Sequence, residues 1–275
     1  MDKKVLTIQD ISCVGQCSLT VAMPIISACG TETCVLPSAV LSTHTGGFTG
    51  YTFRDLTDDM PLIAKHWLKE GISFDALYTG YLGSEKQIEI VKDIKNNLLK
   101  DGAVTIIDPA CADNGKLYPG FGDGFVKKMI SLVKIADVVL PNITEASMLT
   151  GLGYKTDYDE KYIDELSDAV LNLGAKSIVL TGVGYDEKST GVFVKTASGE
   201  KYYYRHEKVD GGFHGTGDVY ASAFVGMLLG GKSVNEAAKI AADFTLLAIK
   251  NTVGDDTHRY GVKFERSLDY LINQR

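Results

Sequence analysis

The chain has 275 residues, 45% hydrophobic, 23% charged and 9% aromatic, a globular composition too apolar for intrinsic disorder and long enough to bury a sizeable core. Its 28 Lys and Arg against 35 Asp and Glu leave a formal charge of −7 with no basic block, which argues against a nucleic-acid partner bound through clustered cations but not against a small anion held by backbone N–H groups. No apolar run approaches the about 18 residues of a membrane span, and the start, Met1-Asp2-Lys3-Lys4-Val5, is not a secretory signal, so a cytoplasmic protein with no membrane partner is expected. The five cysteines include no Cys-x-x-Cys pair and read as reduced thiols.

Residues 5–11 are rich in β-formers. After Gly15, residues 18–29 carry Leu19, Ala22, Met23 and Ile26 at helical spacing and stop at Gly30, so strand, turn and helix follow one another. Residues 32–40 read as a strand that Pro37 assigns to an edge. A loop rich in Ser, Thr, Gly and aromatics spans 41–53, then an amphipathic helix 58–70 and a strand 76–82. Ser84 and Gln87 make a capping-box pattern that opens a helix, closed by Asp101-Gly102. Two largely apolar strands, 104–107 and 138–140, end in Asp108-Pro109 and Pro141-Asn142, as two-sided burial in a parallel sheet requires. A helix over 160–173 leads to the strand 177–180 and its exit Thr181-Gly182-Val183-Gly184. Runs at 190–196 and 201–209 resemble a hairpin, and helices over 217–229, 233–250 and 262–272 finish the chain.

Strands alternating with helices predict an α/β fold of three layers around a doubly wound, mostly parallel sheet, in a single domain over 1–275. Such sheets bind ligands at the carboxyl ends of their strands, which selects Asp10, Gly80-Tyr81, Asp108, Asn142, Thr181 and the loop before Gly217.

That loop, Gly211-Gly212-Phe213-His214-Gly215-Thr216-Gly217-Asp218, stands directly before a helix of small residues. Glycines let the backbone turn its N–H groups inward, and the positive end of the helix adds to them, so a transferring phosphoryl group would be stabilised there. Asp218, in the first turn, could take the proton of an attacking hydroxyl, or could merely cap the helix. Asp108 and Asn142-Ile143-Thr144-Glu145 leave apolar strands at the same edge, with oxygens suited to Mg²⁺ near nucleotide phosphates. The loop from Ser42 to Tyr51, with His44 and Thr45, mixes hydroxyls, an imidazole and aromatic faces that suit a flat polar ring or an ordinary surface loop.

Other patterns lead away from function. Gly226 to Ser233 has P-loop spacing but follows a helix, so it is read as a turn between helices with Ser233 and Glu236 capping the second. No dinucleotide fingerprint follows the first strand, which disfavours hydride transfer. His66 reads as a packed or solvated side chain rather than a ligand.

Taken together, Ile8-Gln9, Ser42-Thr43-His44-Thr45, Thr79-Gly80-Tyr81-Leu82-Gly83-Ser84, Asp108-Pro109, Pro141-Asn142-x-x-Glu145 and Gly215-Thr216-Gly217-Asp218 resemble the pyridoxal kinase family of the ribokinase-like superfamily, over residues 8–250. The resemblance implies a ribokinase-like, ATP-dependent kinase acting on the 5′-hydroxymethyl group of pyridoxal, pyridoxine or pyridoxamine, usually a homodimer, with Mg²⁺ and with a need for K⁺ left open. It implies Asp218 as base and Gly215, Thr216 and Gly217 as anion hole. Asp108, Asn142 and Glu145 would serve phosphate and Mg²⁺, with Asp108 and Glu145 nearest the metal; Thr181 and Gly182 would serve the nucleotide, and His44, Thr45, Gly80 and Tyr81 the ring. Three positions depart from the family: Asp10 where Ser is common, Gly46-Gly47 after His44-Thr45, and Gly182 where some members carry Lys. They fall where substrate is chosen, so hydroxymethylpyrimidine kinase is the main rival reading, and a non-catalytic binder on the same fold a second.

Overall fold

A computed structural model describes residues 3–275; Met1 and Asp2, the first residues of the start read above as lacking a signal, lie outside it. Its main sheet has nine strands in the order β11-β10-β9-β8-β5-β4-β1-β2-β3. Strands β1 (Lys4–Val14), β2 (Glu32–Thr43), β4 (Phe74–Thr79), β5 (Leu99–Ile107), β8 (Val138–Val139) and β9 (Ser177–Thr181) run parallel, and β3 (Phe53–Asp55), β10 (Ser189–Thr196) and β11 (Lys201–Glu207) are antiparallel at the two ends. Alternate residues of the parallel strands feed two cores. Leu6, Ile8, Leu77, Ile107, Val139 and Ile178 pack one way, under α2 (Met60–Lys69), α3 (Glu85–Leu98), α4 (Asp123–Val133), α5 (Ile143–Thr150) and α6 (Glu160–Leu171). Val5, Ala76, Tyr78, Ile106, Val138 and Val179 pack the other way, under α1 (Leu19–Ala28), α7 (Thr216–Leu229), α8 (Val234–Thr252) and the short α9 (Leu268–Ile272). This is the expected three-layer, doubly wound α/β fold, and burial on both faces is why those strands read as continuous apolar runs.

The site depends on how closely α1 and α7 cross. A Cβ at Gly226 of α7 would lie 2.6 Å from the Cβ and Sγ of Cys29, so the absence of a side chain there lets the two helices meet and brings the start of α1 to the start of α7. The stretch from Gly226 to Ser233 is the last turn of α7, ending at Leu229, followed by the turn at residues 230–232, with Ser233 and Glu236 forming a complete capping box at the start of α8.

Several local expectations change. Asp101-Gly102 lies within β5 rather than ending α3, because β5 bulges there: Phe74 pairs with Leu99 and the next partners are Ala76 and Val104. Strand β1 continues to Val14, so Asp10 is inside it and not at its exit. Pro37 is in the second strand of the sheet, not the edge strand; it is tolerated because β3 pairs only with residues 39–41 of β2 and asks no hydrogen bond of it. Ser84 accepts from the Gln87 N–H at 3.3 Å, but the Gln87 side chain accepts from the Gly83 N–H at 2.7 Å rather than from Ser84 and donates to Ser38 and Thr57, so half of that capping box forms. The hairpin of β6 (Ala112–Asp113) and β7 (Lys116–Leu117), with α4, fills the stretch after Asp108 where no element was foreseen. The last expected helix splits into a 3₁₀ turn (Phe264–Ser267) and α9.

Candidate active site

Gly215 is the N-cap of α7, at φ 74° and ψ 4°, and a Cβ on it would stand 1.8 Å from the carbonyl oxygen of Gln16. Only glycine fits both the left-handed backbone and that contact. The helix starts with the Val219 N–H donating to the Gly215 carbonyl at 3.0 Å, which leaves the N–H groups of Thr216, Gly217 and Asp218 without partners inside the helix. They converge with the positive end of a 14-residue helix on the space beside Asp218.

Asp218 is half-buried, and its pKa is pushed up to about 8, first by burial, then by the negative charges of Asp108 and Asp10, against a lowering contribution from the Ser18 backbone N–H. Asp108 follows β5, where its N–H donates to the Thr79 carbonyl at 3.0 Å and its carboxylate accepts from the Ala110 N–H at 3.0 Å. Burial and the neighbouring Glu145 raise its pKa well above the carboxylate range. Glu145, 3% exposed, is raised to about 7 by burial, although three backbone donors oppose it. One of its oxygens accepts from the Cys111 N–H at 2.9 Å and the other from the Asn142 N–H at 2.9 Å.

Glu145 therefore closes the capping box of α5 and ties the β6–β7 hairpin to the sheet edge. Glu145→Gln should lower the melting temperature by several degrees, since the amide nitrogen would face a backbone N–H and leave it unpaired at about 1–3 kcal/mol. Thermal unfolding followed by circular dichroism checks this; an unchanged melting temperature would reduce Glu145 to an electrostatic role.

Toward the β1–β2 side of this edge, Asp10 is 5% exposed and accepts from the Ser18 hydroxyl at 2.5 Å and the Ser12 hydroxyl at 3.0 Å. It feels Tyr81, which follows β4 and packs on Phe121 with centroids 5.5 Å apart, while Gly80 is held by its N–H to the Ile8 carbonyl at 3.2 Å. His44 is buried, with ring centroids 5.1 Å from Phe48 and 5.4 Å from His214, so it joins the loop after β2 to the Gly-rich loop. Burial first, and His214 second, lower its pKa, and its Nε2 has no partner in the chain. Thr45 is exposed beyond it.

Toward the β8–β9 side of this edge, Asn142 and Thr181 face each other in a parallel bridge. Both ends of the Asn142 amide are engaged, accepting from the Glu145 N–H at 2.9 Å and donating to the Ala112 carbonyl at 2.8 Å. Gly182 is exposed at φ 74°, and the Tyr158 hydroxyl accepts from the Gly184 N–H at 3.1 Å and donates to the Gly182 carbonyl at 3.4 Å, so it staples this turn.

Asp10, Asp108, Glu145, Asp218 and the amides after Gly215 thus meet at one place, with His44 and Tyr81 on one flank and Thr181 and Gly182 on the other. The carboxylates feel one another and no lysine or arginine of the described residues pairs with them. Among the described residues no group of three or more His, Cys, Asp or Glu is placed to hold a metal ion, so a divalent cation at this place would rest on one or two of these carboxylates and on oxygens of a bound ligand.

Residues 26–262 match the protein family described as phosphomethylpyrimidine kinase, and the pyridoxine kinase of Bacillus subtilis strain 168 is 32% identical over 196 residues, 67% of each chain. The chain belongs to the phosphomethylpyrimidine and pyridoxal kinase family. The hydroxymethylpyrimidine/phosphomethylpyrimidine kinase of Aquifex aeolicus is 29% identical over 202 residues, 70% of this kinase and 74% of its own length. A presumptive phosphomethylpyrimidine kinase from Bacteroides thetaiotaomicron, solved with pyridoxal, shares 36% identity and a TM-score of 0.93 over 98% of this kinase and 96% of its own chain. The fold of this kinase is ribokinase-like, as its motifs implied.

Reading the sequence of this kinase overlooked Ser18, which lies at φ 52° and ψ −134° and reaches both Asp10 and Asp218. A Ser immediately before a helix was the available signal, and it points to a cap; the hydroxyl makes no cap and goes to Asp10 instead. His214 and Tyr158 were also overlooked, since their contacts come from loops distant in the chain. Among the described residues no helix is long and apolar enough to cross a membrane.

Proposed function

We propose that the kinase transfers the γ-phosphoryl group of ATP to the 5′-hydroxymethyl arm of a vitamin B6 ring, pyridoxal, pyridoxine or pyridoxamine. The observation that carries this reading is Asp218, a carboxylate with its pKa raised to about 8, set in the first turn of α7 beside the free amides of Thr216 and Gly217. A base poised near neutrality removes the hydroxyl proton as the oxygen bonds to the γ-phosphorus and the bond to the bridging oxygen of ADP breaks. The amides following Gly215 meet the charge that grows on the equatorial oxygens. Asp108 would hold Mg²⁺, which supplies neutralisation of the phosphate charge when bound. Thr181 and the turn stapled by Tyr158 would border the nucleotide, and His44, Gly80 and Tyr81 the ring. The pyridoxine kinase relative and the pyridoxal bound by the Bacteroides protein support a pyridine acceptor.

A second reading, a hydroxymethylpyrimidine kinase, is favoured by Asp10, a carboxylate on the ring side, and by the Aquifex relative. The test is ADP release from MgATP with pyridoxal, pyridoxine, pyridoxamine and hydroxymethylpyrimidine in parallel. Turnover with the pyridines is the expected result. Turnover with the pyrimidine alone replaces the first reading by the second, and silence with all four despite ATP binding leaves a binder on a kinase fold.

A further inference from the structure

Asp10 lies where β1 runs on alone past β4. The pairing of the two strands ends at Ile8 and Thr79, so the next residues of β1 have no ladder partner on that side, and Asp10 is 5% exposed there. On the other side β1 and β2 slip in register between Gln9 and Ile11, a bulge that sets Asp10 apart from the regular ladder. Two hydroxyls hold it there, Ser18 on one carboxylate oxygen and Ser12 on the other, and each oxygen keeps acceptor capacity.

Ser18 sets the spacing of the site. Its hydroxyl donates to Asp10 and its backbone N–H faces the Asp218 carboxylate, so the span of one residue separates the two acids. Ser18 sits in a left-handed conformation uncommon for a residue with a side chain, and such strain is retained where the surroundings require it. A buried acid beside a half-buried one with no cation of the described residues is costly, and a ligand that brings a donor or positive charge relieves that cost.

The acceptors at issue carry matching geometry. In pyridoxamine the aminomethyl group is on the ring carbon next to the hydroxymethyl arm, and in hydroxymethyl aminopyrimidine the amine is on the corresponding neighbour. A ring whose hydroxyl faces Asp218 has two orientations, and in one of them that adjacent substituent turns toward Asp10, the span of Ser18 away. We infer that Asp10, held by Ser12 and Ser18, is a specificity-determining residue that selects acceptors bearing an amine on the carbon adjacent to the hydroxymethyl arm, over the aldehyde and alcohol forms. This inference rests on the kinase reading and refines its substrate class.

The experiment measures kcat/KM for pyridoxamine, hydroxymethyl aminopyrimidine, pyridoxine and pyridoxal in the wild type, Asp10→Ser and Asp10→Asn. In the wild type at least one aminated acceptor should exceed pyridoxine and pyridoxal by about 10- to 100-fold, the range of one hydrogen bond to a charged group. Which of the two amines is taken identifies the ring, and either result supports the selection. Both substitutions should erase the preference, bringing the ratio of kcat/KM for the aminated acceptor over that for pyridoxine to within about threefold of unity whatever happens to the common rate, while KM for ATP stays in place, a split that a purely structural role would not produce. Equal ratios in wild type and variants overturn the inference, as does a wild type that prefers pyridoxine or pyridoxal, a result that needs no variant to fold. No turnover with any acceptor in the wild type instead removes the kinase reading on which the inference rests.

Discussion

Asp218→Asn is expected to lower kcat by about 10²-fold or more while ATP still binds, because the amide cannot accept the hydroxyl proton yet preserves the shape of the first turn of α7. Steady-state ADP release, with nucleotide affinity from calorimetry, separates the two effects. Retention of full turnover would leave Asp218 as a helix cap. The pH profile gives a second check. A general base works when deprotonated, so kcat/KM in the wild type should rise with pH and level off above about 8, the value to which burial and then Asp108 and Asp10 push this carboxyl. The rising limb should vanish from the residual activity of the variant.

Stability should move the opposite way. An unfolded chain releases the Asp218 proton near 3.8, whereas the folded chain keeps it up to about 8, so folding gains from protonation below the lower value and loses that gain as pH climbs through the window. Asn carries no such proton. The variant should therefore gain melting temperature over the wild type as pH is raised toward about 8, with no further gain above it. Loss of rate together with a gain in stability is the signature of a carboxylate kept buried for its chemistry.

Gly215→Ala is expected to cost about 10²- to 10³-fold in kcat, the effect of misplacing one anion-hole donor, and about 5 °C or more in melting temperature. The added methyl would meet the Gln16 carbonyl oxygen at 1.8 Å on a backbone at φ 74°, so the turn must open and the amides after it rotate. Gly217→Ala is the control. Its methyl meets nothing within 4 Å, so the fold should hold, and any loss of turnover reports the approach of phosphate to that amide. Should Gly215→Ala keep the wild-type kcat, the anion hole lies elsewhere.

The large lines of the fold were legible because each depends on a local pattern. Apolar runs such as 177–180, burying both faces, must be central parallel strands, and Gly30 and Gly71 end helices by adopting a left-handed backbone. The amphipathic spacing of Phe125, Val126, Met129, Leu132 and Val133 is equally regular, but Gly120, Gly122 and Gly124 at its start mask the beginning of α4. The bulge in β5 was illegible from its own residues: Asp-Gly usually ends an element, and only pairing with β4 retains it inside a strand.

The site divides in the same way. By itself the sequence singled out the groups on which the proposed chemistry rests, the Gly-rich helix start with Asp218 and the polar residues leaving apolar strands, because glycine freedom, helix polarity and strand exits are properties of neighbours in the chain. Only the tertiary structure decided what those groups feel. The rise of Asp218 to about 8 requires burial together with Asp108 and Asp10, and the commitment of Glu145 to backbone donors requires residues 111 and 112 to fold back on it. The tie between Asp10 and Asp218 runs through Ser18, placed by the packing of α1 on α7 where Gly226 meets Cys29. Solvation and charge–charge interaction are set by distance in space, and residues far apart in the chain acquire those distances only when the sheet and its two helix layers close around them.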